Sequence, residues 1–220
     1  MAVLVWDNLG EKKYENGVSH GVLYTWDSTA NKWLGVAWNG LTSVSASPEG
    51  GDANDQYADN IKYGSMRGAE SFGGTIEAFT SPKEFDACDG SVEVITGVSV
   101  HQQTRKMFRF CYRSEQGNDQ AGANYGYKIH LVYGCTCSPS ERTYETINDN
   151  PDMMTLSWDF DSTPIDVTGH KPTSEITIDS TRFTTTEQQA KLALLEAALY
   201  GTENSAAYMP DPDDLIDLID

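Results

Sequence analysis

Apolar and polar residues alternate along most of the chain. The period of two is clear in GVLYTW (21–26), KWLGVAW (32–38) and YGYKIHLVYG (125–134). A strand places successive side chains on opposite faces, so this alternation predicts strands with one apolar and one polar side. Such strands form antiparallel sheets packed on one face, and stacking two of them buries the apolar faces. We therefore predict a mainly β protein with an antiparallel β-sandwich or barrel-like core.

Two segments depart from this period and predict helices. In SPKEFDACD (81–89), Ser81 is the expected N-cap of a short helix. In residues 184–200, Thr184 and Glu187 stand at capping-box spacing at the start of a longer, C-terminal helix. The apolar residues expected to face the sheet are Phe85 and Cys88 in the first helix, and Leu192, Leu195 and Leu199 in the second.

The chain changes character after Gly201. Residues 1–201 are predicted to form a single domain, and residues 202–220 an acidic C-terminal tail with no basic residue. This composition, with two prolines, favours disorder. The alternative is that the apolar residues of the tail, Leu215, Ile216, Leu218 and Ile219, dock against a neighbour.

The segment VAWNGLTSVSASPEGGDANDQYADNIKY (36–63) joins a strand of small residues to a polar loop. Ser43, Ser45 and Ser47 share one face of that strand. Two interpretations stay open for this serine face. It lines a channel, for which its lack of bulky groups is suited, or it is an ordinary solvated outer face.

The charge of the chain limits its partners. Its 33 acidic and 15 basic residues give a net charge of −18, which argues against a protein that grips nucleic acid by the phosphates. No stretch approaches the roughly 20 apolar residues of a membrane span, so we expect no membrane partner. The start, MAVLVWDNLGEKK, does not predict a secretion signal.

Residues with chemical potential are scattered. No nucleophile, phosphate-binding or metal motif is present, and we predict no catalytic residue, cofactor or metal. Asp159, Asp161 and Asp166 would suit a calcium or glycosidase site, but the polar face of a strand is favoured. The four cysteines are expected to be reduced and mostly buried, with zinc as the less favoured alternative for the C-x-C pair. They are Cys88, Cys111, Cys135 and Cys137.

Several spaced motifs, taken together, resemble a known family. They are GVLYTW, GVAWNGLTSVSASPEG, YADNIKY, GGTIEAFTSPKEFDACDG, YGYKIHLVYG and ITIDSTRF, in that order. This series resembles the major tail protein, or tail tube protein, of long-tailed bacteriophages of the siphovirus type. The likeness runs from about Gly10 to Gly201. The C-x-C pair and the acidic tail lie outside it.

The resemblance implies a structural virion protein and no enzyme. Members of this family have a β-sandwich-like fold with a flanking helix and form hexameric rings. The rings stack into a hollow tube through which genomic DNA passes without specific binding. The implied partners are further copies of the chain and the tape-measure, distal tail and tail-terminator proteins. The implied location is the virion tail, assembled in the host cytoplasm.

The resemblance also assigns parts of the chain. Residues 81–89 would be the flanking helix and residues 48–57 an extended inter-subunit or inter-ring loop. The loop residues singled out are Pro48, Glu49, Gly50, Gly51, Asp52, Gln56 and Tyr57. The serine face Ser43, Ser45 and Ser47 would be the lumen face. On another strand, Arg105, Arg109 and Arg113 share a face and would form ion pairs with a neighbouring subunit.

One alternative from another class of protein stays open. A soluble β-sandwich binding module for a carbohydrate or protein ligand would use exposed tryptophans, from among Trp6, Trp26, Trp33 and Trp38, to stack on a sugar ring. A hydrolase ranks third, since only scattered aspartates favour it.

Overall fold

The protein is mainly β, as predicted. The structure is a computed structural model that describes residues 3–51, 53–68, 70–144, 146–147, 149 and 152–219. The strands are β1 Lys13–Asp27, β2 Lys32–Trp38, β3 Leu41–Glu49, β4 Ala53–Ala58, β5 Ile61–Arg67, β6 Ser71–Ala78, β7 Val92–Ile95, β8 Val98–Val100, β9 Phe108–Asn118, β10 Gly122–Cys137, β11 Leu156–Ser162 and β12 Glu175–Asp179. The α-helices are α1 Asp86–Asp89, α2 Thr186–Tyr200 and α3 Pro212–Ile219, and short 3-10 turns occupy Lys83–Phe85 and Ser180–Arg182. None of the described helices is long and apolar enough to cross a membrane.

Eight strands form one antiparallel sheet that folds into two layers. Their order is β2-β1-β9-β10-β11-β6-β3, and β12 pairs with β10. The long strand β10 belongs to both layers, since Lys128–Val132 pairs with β12 and Cys135–Cys137 pairs with β11. Between these stretches Gly134 has φ +61°, and a Cβ there would collide with the carbonyl oxygen of Thr163. A glycine is therefore required where the sheet turns back on itself.

The space between the layers is an aromatic core. The first layer (β2, β1, β9, the start of β10, and β12) faces the second (the end of β10, β11, β6 and β3). Trp38 lies 5.4 Å from Trp158 across the gap, measured between ring centroids. Phe85 packs edge-on against Trp158 at 5.5 Å. The predicted aromatic face of β9 belongs to this core, with Phe108 and Phe110 fully buried and Tyr112 nearly so.

The other face of the first layer is covered by helices. Leu192, Leu195 and Leu199 of α2 are buried against this face, as their spacing predicts. The capping box lies one residue later than predicted. The hydroxyl of Thr185 accepts a hydrogen bond from the Gln188 N–H, and the Gln188 side chain accepts from the Thr185 N–H. The molecule thus has three layers: helices, first layer, second layer.

The predicted flanking helix occupies the expected place with different ends. Pro82, not Ser81, is the N-cap, and the first turn is a 3-10 turn that continues into α1. The helix closes at Gly90, whose φ of +79° is left-handed. Phe85 and Cys88 are buried, as predicted.

The C-terminal segment, residues 202–219, is ordered and docks on its own chain, so the favoured expectation of disorder is wrong and docking against a neighbour stays a prediction. Met209 and Leu215 are buried in the same cluster as α2. The Tyr208 N–H donates to the carbonyl of Ala198, and Asp213 accepts hydrogen bonds from Thr168. The acidic residues are spaced so that the apolar ones share a side of α3, a pattern that composition alone does not express.

All four cysteines are buried and none is in a disulfide. Burial raises the pKa of the Cys88, Cys111 and Cys137 thiols to about 12. These thiols are therefore protonated and unreactive at neutral pH. The C-x-C pair belongs to the core between the layers.

Candidate assembly surface

The outer side of the second layer carries a continuous band of small and acidic residues, which we call the polar face. Its rows follow from the strand register. Ser45 lies opposite Thr75, which lies opposite Asp159. One row further, Ser47 lies opposite Gly73, which lies opposite Asp161. The polar face comprises Ser43, Ser45 and Ser47 of β3, Gly73, Thr75 and Glu77 of β6, and Ser157, Asp159 and Asp161 of β11.

Hydrogen bonds link neighbouring strands across the polar face. The Ser43 hydroxyl donates to Glu77 at 2.6 Å. The Thr75 hydroxyl donates to Asp159 at 2.6 Å. These bonds tie the Glu77 and Asp159 carboxylates to hydroxyls of the neighbouring strand. The three strands β3, β6 and β11, all described throughout, contain no lysine and no arginine.

The three serines predicted as a lumen face therefore lie together and within an acidic surface. Asp159 and Asp161 are exposed, as expected for a solvated strand face. Their proximity to the serines is not evident from the sequence, because β3 and β11 are joined only through β6. Glu77 was not singled out. Its alternation with the buried Ile76 and Ala78 was the available signal.

The two margins of the eight-stranded sheet differ. The outer side of β2 is occupied by the C-terminal segment: the Gly35 N–H donates to Ala207 at 2.8 Å, and the Met209 N–H donates to Trp33 at 3.1 Å. The outer side of β3 has no strand partner among the described residues. An unpaired margin of nine residues is a site for pairing with another chain. The outer side of β2 is thus covered and that of β3 is open, and the polar face extends to β3. The edge strand β12 also has no second strand partner among the described residues.

A hairpin, here called the hairpin arm, projects from the second layer between β3 and β6. Strands β4 and β5 pair only with each other. At its base Gly51 approaches Gly68 so closely that a Cβ on Gly51 would lie 2.6 Å from the Gly68 Cα. Lys62 pairs with Asp55 at 2.7 Å and lowers the pKa of that carboxyl. The exposed large side chains of the arm are Tyr57, Ile61, Tyr63 and Met66.

The predicted extended loop of residues 48–57 is therefore not a loop for most of its length. Pro48 and Glu49 end β3, Gly50 and Gly51 form the base of the arm, and Gln56 and Tyr57 belong to β4. Asp52 lies outside the described residues. Polar residues in the DANDQYA stretch hid the strand, because a free hairpin exposes both faces and so lacks a buried set of alternate residues. The inter-subunit role of these residues stays a prediction.

The expected ion pairs between subunits do not suit Arg109, and this assignment is corrected. Its side chain is only 5% exposed and pairs within the chain with Asp211 at 2.5 Å. The guanidinium carbon lies 4.5 Å from the ring centre of Trp33 and 5.1 Å from that of Tyr133. The alternation in β9 predicts a polar, exposed face for Arg109. The C-terminal segment covers this face, so the charge of Arg109 is buried.

The other two arginines differ from Arg109. Arg113 forms its ion pair within the chain, with Glu115 at 3.1 Å, and lies over the ring of Tyr127 at 3.8 Å. This too departs from the expected pairing with a neighbour. Arg105 precedes β9 and is half-buried near Gly90. Its role between subunits stays a prediction.

The tryptophans do not form a flat binding platform. Trp38 is buried in the core, and Trp33 lies under Arg109. Trp26 meets Trp33 edge to face, at 5.5 Å and 62°. Trp6 lies in the exposed N-terminal stretch. This arrangement gives no specific support to a sugar-binding module.

Comparison with known proteins found similar solved structures. No family model matches the sequence, and no curated protein matches it. A chain in the cryo-EM structure of an extracellular contractile injection system, the PVC sheath–tube complex in its extended state, is 12% identical with a TM-score of 0.37, covering 73% of this chain and 88% of that one. A chain in the extended sheath/tube terminator of PVC is 12% identical with a TM-score of 0.38, covering 75% and 97%. A likeness at these values carries no functional argument. Both structures belong to a contractile injection system, so they do not support the siphovirus type.

Proposed function

We propose that this chain is a structural subunit of a tail tube, in which copies form rings, the rings stack, and the polar face lines the bore. The observation that carries the proposal is the polar face itself, whose three strands contain acidic residues but no lysine and no arginine, and which ends at the open margin of β3. The sequence motifs that resemble tail tube proteins support the same function.

The charge of the polar face suits the passage of DNA. Phosphates bind to lysine and arginine with the release of counterions, and a surface without these residues offers no such binding. Carboxylates held in the sheet by serine and threonine repel the phosphates instead. A duplex therefore slides past the wall of the bore without adsorbing. The six-fold symmetry, the siphovirus type and the delivery of DNA belong to the proposal.

The open margin suits a ring. A ring needs a heterologous contact, in which each copy offers two different surfaces. Because the C-terminal segment covers β2, we propose that the β3 margin lies at the subunit boundary. Pairing there satisfies backbone groups that the single chain leaves open and extends the polar face from one copy to the next.

Reversing the charge of the polar face tests its position. We expect the Asp159→Lys/Asp161→Lys variant to form tubes that retain a short fluorescent DNA duplex, whereas wild-type tubes release it. The retention should fall steeply with salt, because each lysine–phosphate contact releases counterions. Electron micrographs and co-sedimentation of the duplex provide the measurement.

The control carries the same charge change elsewhere. Asp214 and Asp217 are exposed on α3, far in sequence from the polar face. Tubes of the Asp214→Lys/Asp217→Lys variant also gain positive charge, but on their outer surface. Retention of the duplex is therefore compared between tubes with open ends and tubes with blocked ends. Retention that depends on open ends only in the Asp159/Asp161 variant supports a bore location. Retention independent of the ends in both variants contradicts it, and absence of rings or tubes from the wild type contradicts the proposed function.

Removal of the hairpin arm tests its part in stacking. We expect a chain in which residues 53–67 are replaced by a short Gly-Ser linker to stay folded, because β4 and β5 pair with no other described strand and Gly51 and Gly68 already lie close together at the base. Rings should form and tubes should not. Negative-stain images and thermal melting provide the measurement, and normal tubes would refute a role for the arm between rings.

A further inference from the structure

The first eight described residues include an apolar stretch that no other described residue covers. Val3, Leu4, Val5 and Trp6 are 88%, 73%, 65% and 75% exposed, and Leu9 is 77% exposed. Large apolar residues that follow one another on a surface mark an interaction site. The stretch Val-Leu-Val-Trp also has high strand propensity but pairs with no strand. We call residues 3–9 the N-terminal segment.

The base of the N-terminal segment is fixed while its apolar part is free. The Gly10 N–H donates to both carboxylate oxygens of Asp119, at 3.0 and 3.2 Å. The Asn118 side chain donates to the carbonyl of Gly10 at 3.4 Å. These bonds attach the segment to the turn between β9 and β10. It therefore leaves the first layer from a defined point and presents residues 3–6 to the surroundings.

The open margin at β3 lacks a strand partner of this kind. Ala46 and Pro48 lie on the same side of β3 as the half-buried Val44, which packs on the core, yet both are exposed. They are exposed because no strand lies beyond β3. A strand added at this margin supplies the missing backbone partners, and alternate large side chains of that strand cover Ala46 and Pro48.

Other strand-forming segments do not fill this place. Pairing of β3 with β3 of a second copy is two-fold and ends at a dimer, which does not give a ring. The β2 margin is occupied by residues 207–209. The strands of the hairpins β4–β5 and β7–β8 each have a partner within the hairpin, whereas residues 3–6 have none. The N-terminal segment is the described apolar stretch that has strand propensity and no strand partner.

We infer that residues 3–6 of one copy add as a strand to the β3 margin of the next copy, so that each subunit donates a strand on one side and accepts one on the other. This inference rests on the proposed function, since it names the segment that meets β3 at the subunit boundary. The contact is heterologous, and repetition carries it around a ring.

Two variants separate the donor from the acceptor. The donor variant Leu4→Asp/Trp6→Asp places charges in the exposed segment, where folding does not depend on them. The acceptor variant Ala46→Lys places a charge on the core-facing side of the open margin, a change that blocks strand addition. The matched control Tyr144→Asp/Ile147→Asp changes two residues that are 74% and 90% exposed. Sedimentation velocity is measured at a concentration at which the wild type assembles, and thermal melting confirms that each variant is folded.

We expect the control to assemble like the wild type and each of the two variants to remain single, with association weakened at least tenfold. A one-to-one mixture of the donor and acceptor variants should give a species of twice the subunit mass and nothing larger. In that pair the intact N-terminal segment of one variant occupies the intact β3 margin of the other, and no further donor or acceptor is left.

The other outcomes overturn the inference in distinguishable ways. If the donor variant assembles like the wild type while the acceptor variant stays single, the β3 margin remains at the boundary and the donor assignment is wrong. If the mixture forms no pair, the two segments do not meet. If the acceptor variant assembles normally, β3 is not at the boundary. If the wild type itself forms no oligomer, the proposed function fails together with the inference.

Discussion

Replacement of Trp158 by alanine is expected to lower the free energy of unfolding by about 3–5 kcal/mol, the usual cost of removing a large aromatic side chain from a core. Trp158 is 1% exposed and contacts Trp38 and Phe85 in the space between the two layers. These three rings connect β11, β2 and the flanking helix. The loss therefore affects both layers at once, and urea denaturation with linear extrapolation measures it.

A second tryptophan provides the control. Trp6 is 75% exposed, so Trp6→Ala should change the free energy of unfolding by less than about 0.5 kcal/mol. The indole N–H of Trp158 has no hydrogen-bond partner in the structure. Neither Trp158→Phe nor Trp158→Ala therefore leaves a hydrogen-bond partner unpaired. Trp158→Phe should cost less than Trp158→Ala, because phenylalanine leaves a smaller cavity. Equal stability of Trp158→Ala and Trp6→Ala would refute the packing described here.

Replacement of Asp211 by asparagine is expected to lower the free energy of unfolding by about 2–3 kcal/mol. Its carboxylate pairs with Arg109, whose side chain is 5% exposed and otherwise reaches only the carbonyls of Met209 and Pro210 at 3.4 and 3.5 Å. The change leaves a guanidinium charge buried without a counter-charge. Asp211 itself is 62% exposed, so water moderates the cost below that of a fully buried pair.

The same variant should loosen the C-terminal segment. Hydrogen exchange at the Gly35 and Met209 amides, which pair β2 with residues 207–209, is expected to quicken. Asp214→Asn, with the same charge change on the exposed side of α3, is the control and should leave both quantities unchanged. Arg109→Met in the Asp211→Asn background should restore part of the stability, because it removes the unpaired charge. No difference between Asp211→Asn and Asp214→Asn would contradict the anchoring role of Arg109.

The C-terminal segment covers the outer side of β2 through backbone hydrogen bonds. On the proposed function, this cover removes β2 as a place at which the sheet of another copy would join. The pair between the buried Arg109 and Asp211 anchors this cover, because displacing residues 207–211 leaves the Arg109 charge without its partner carboxylate.

The sequence by itself determined most strands of the eight-stranded sheet, the flanking helix, helix α2 and which of their residues are buried, but not β4 or α3. Phe108, Phe110 and Tyr112 are buried on one side of β9 because alternation in a strand is a local property of the backbone. Leu192, Leu195 and Leu199 are buried for the same reason, at the helical period. The mainly antiparallel fold follows from these local periods.

What each polar side faces was decided by the tertiary structure. Arg109 and Ser45 both occupy polar positions of a strand, yet Arg109 is covered by the C-terminal segment and Ser45 is exposed beside Asp159. Alternation shows that the two faces of a strand differ. What covers each face depends on contacts between residues about 100 positions apart, such as Arg109 with Asp211. The ordering of the acidic C-terminus and the joining of serines to aspartates in one surface arise in the same way, since side chains distant in sequence become neighbours only when the layers pack.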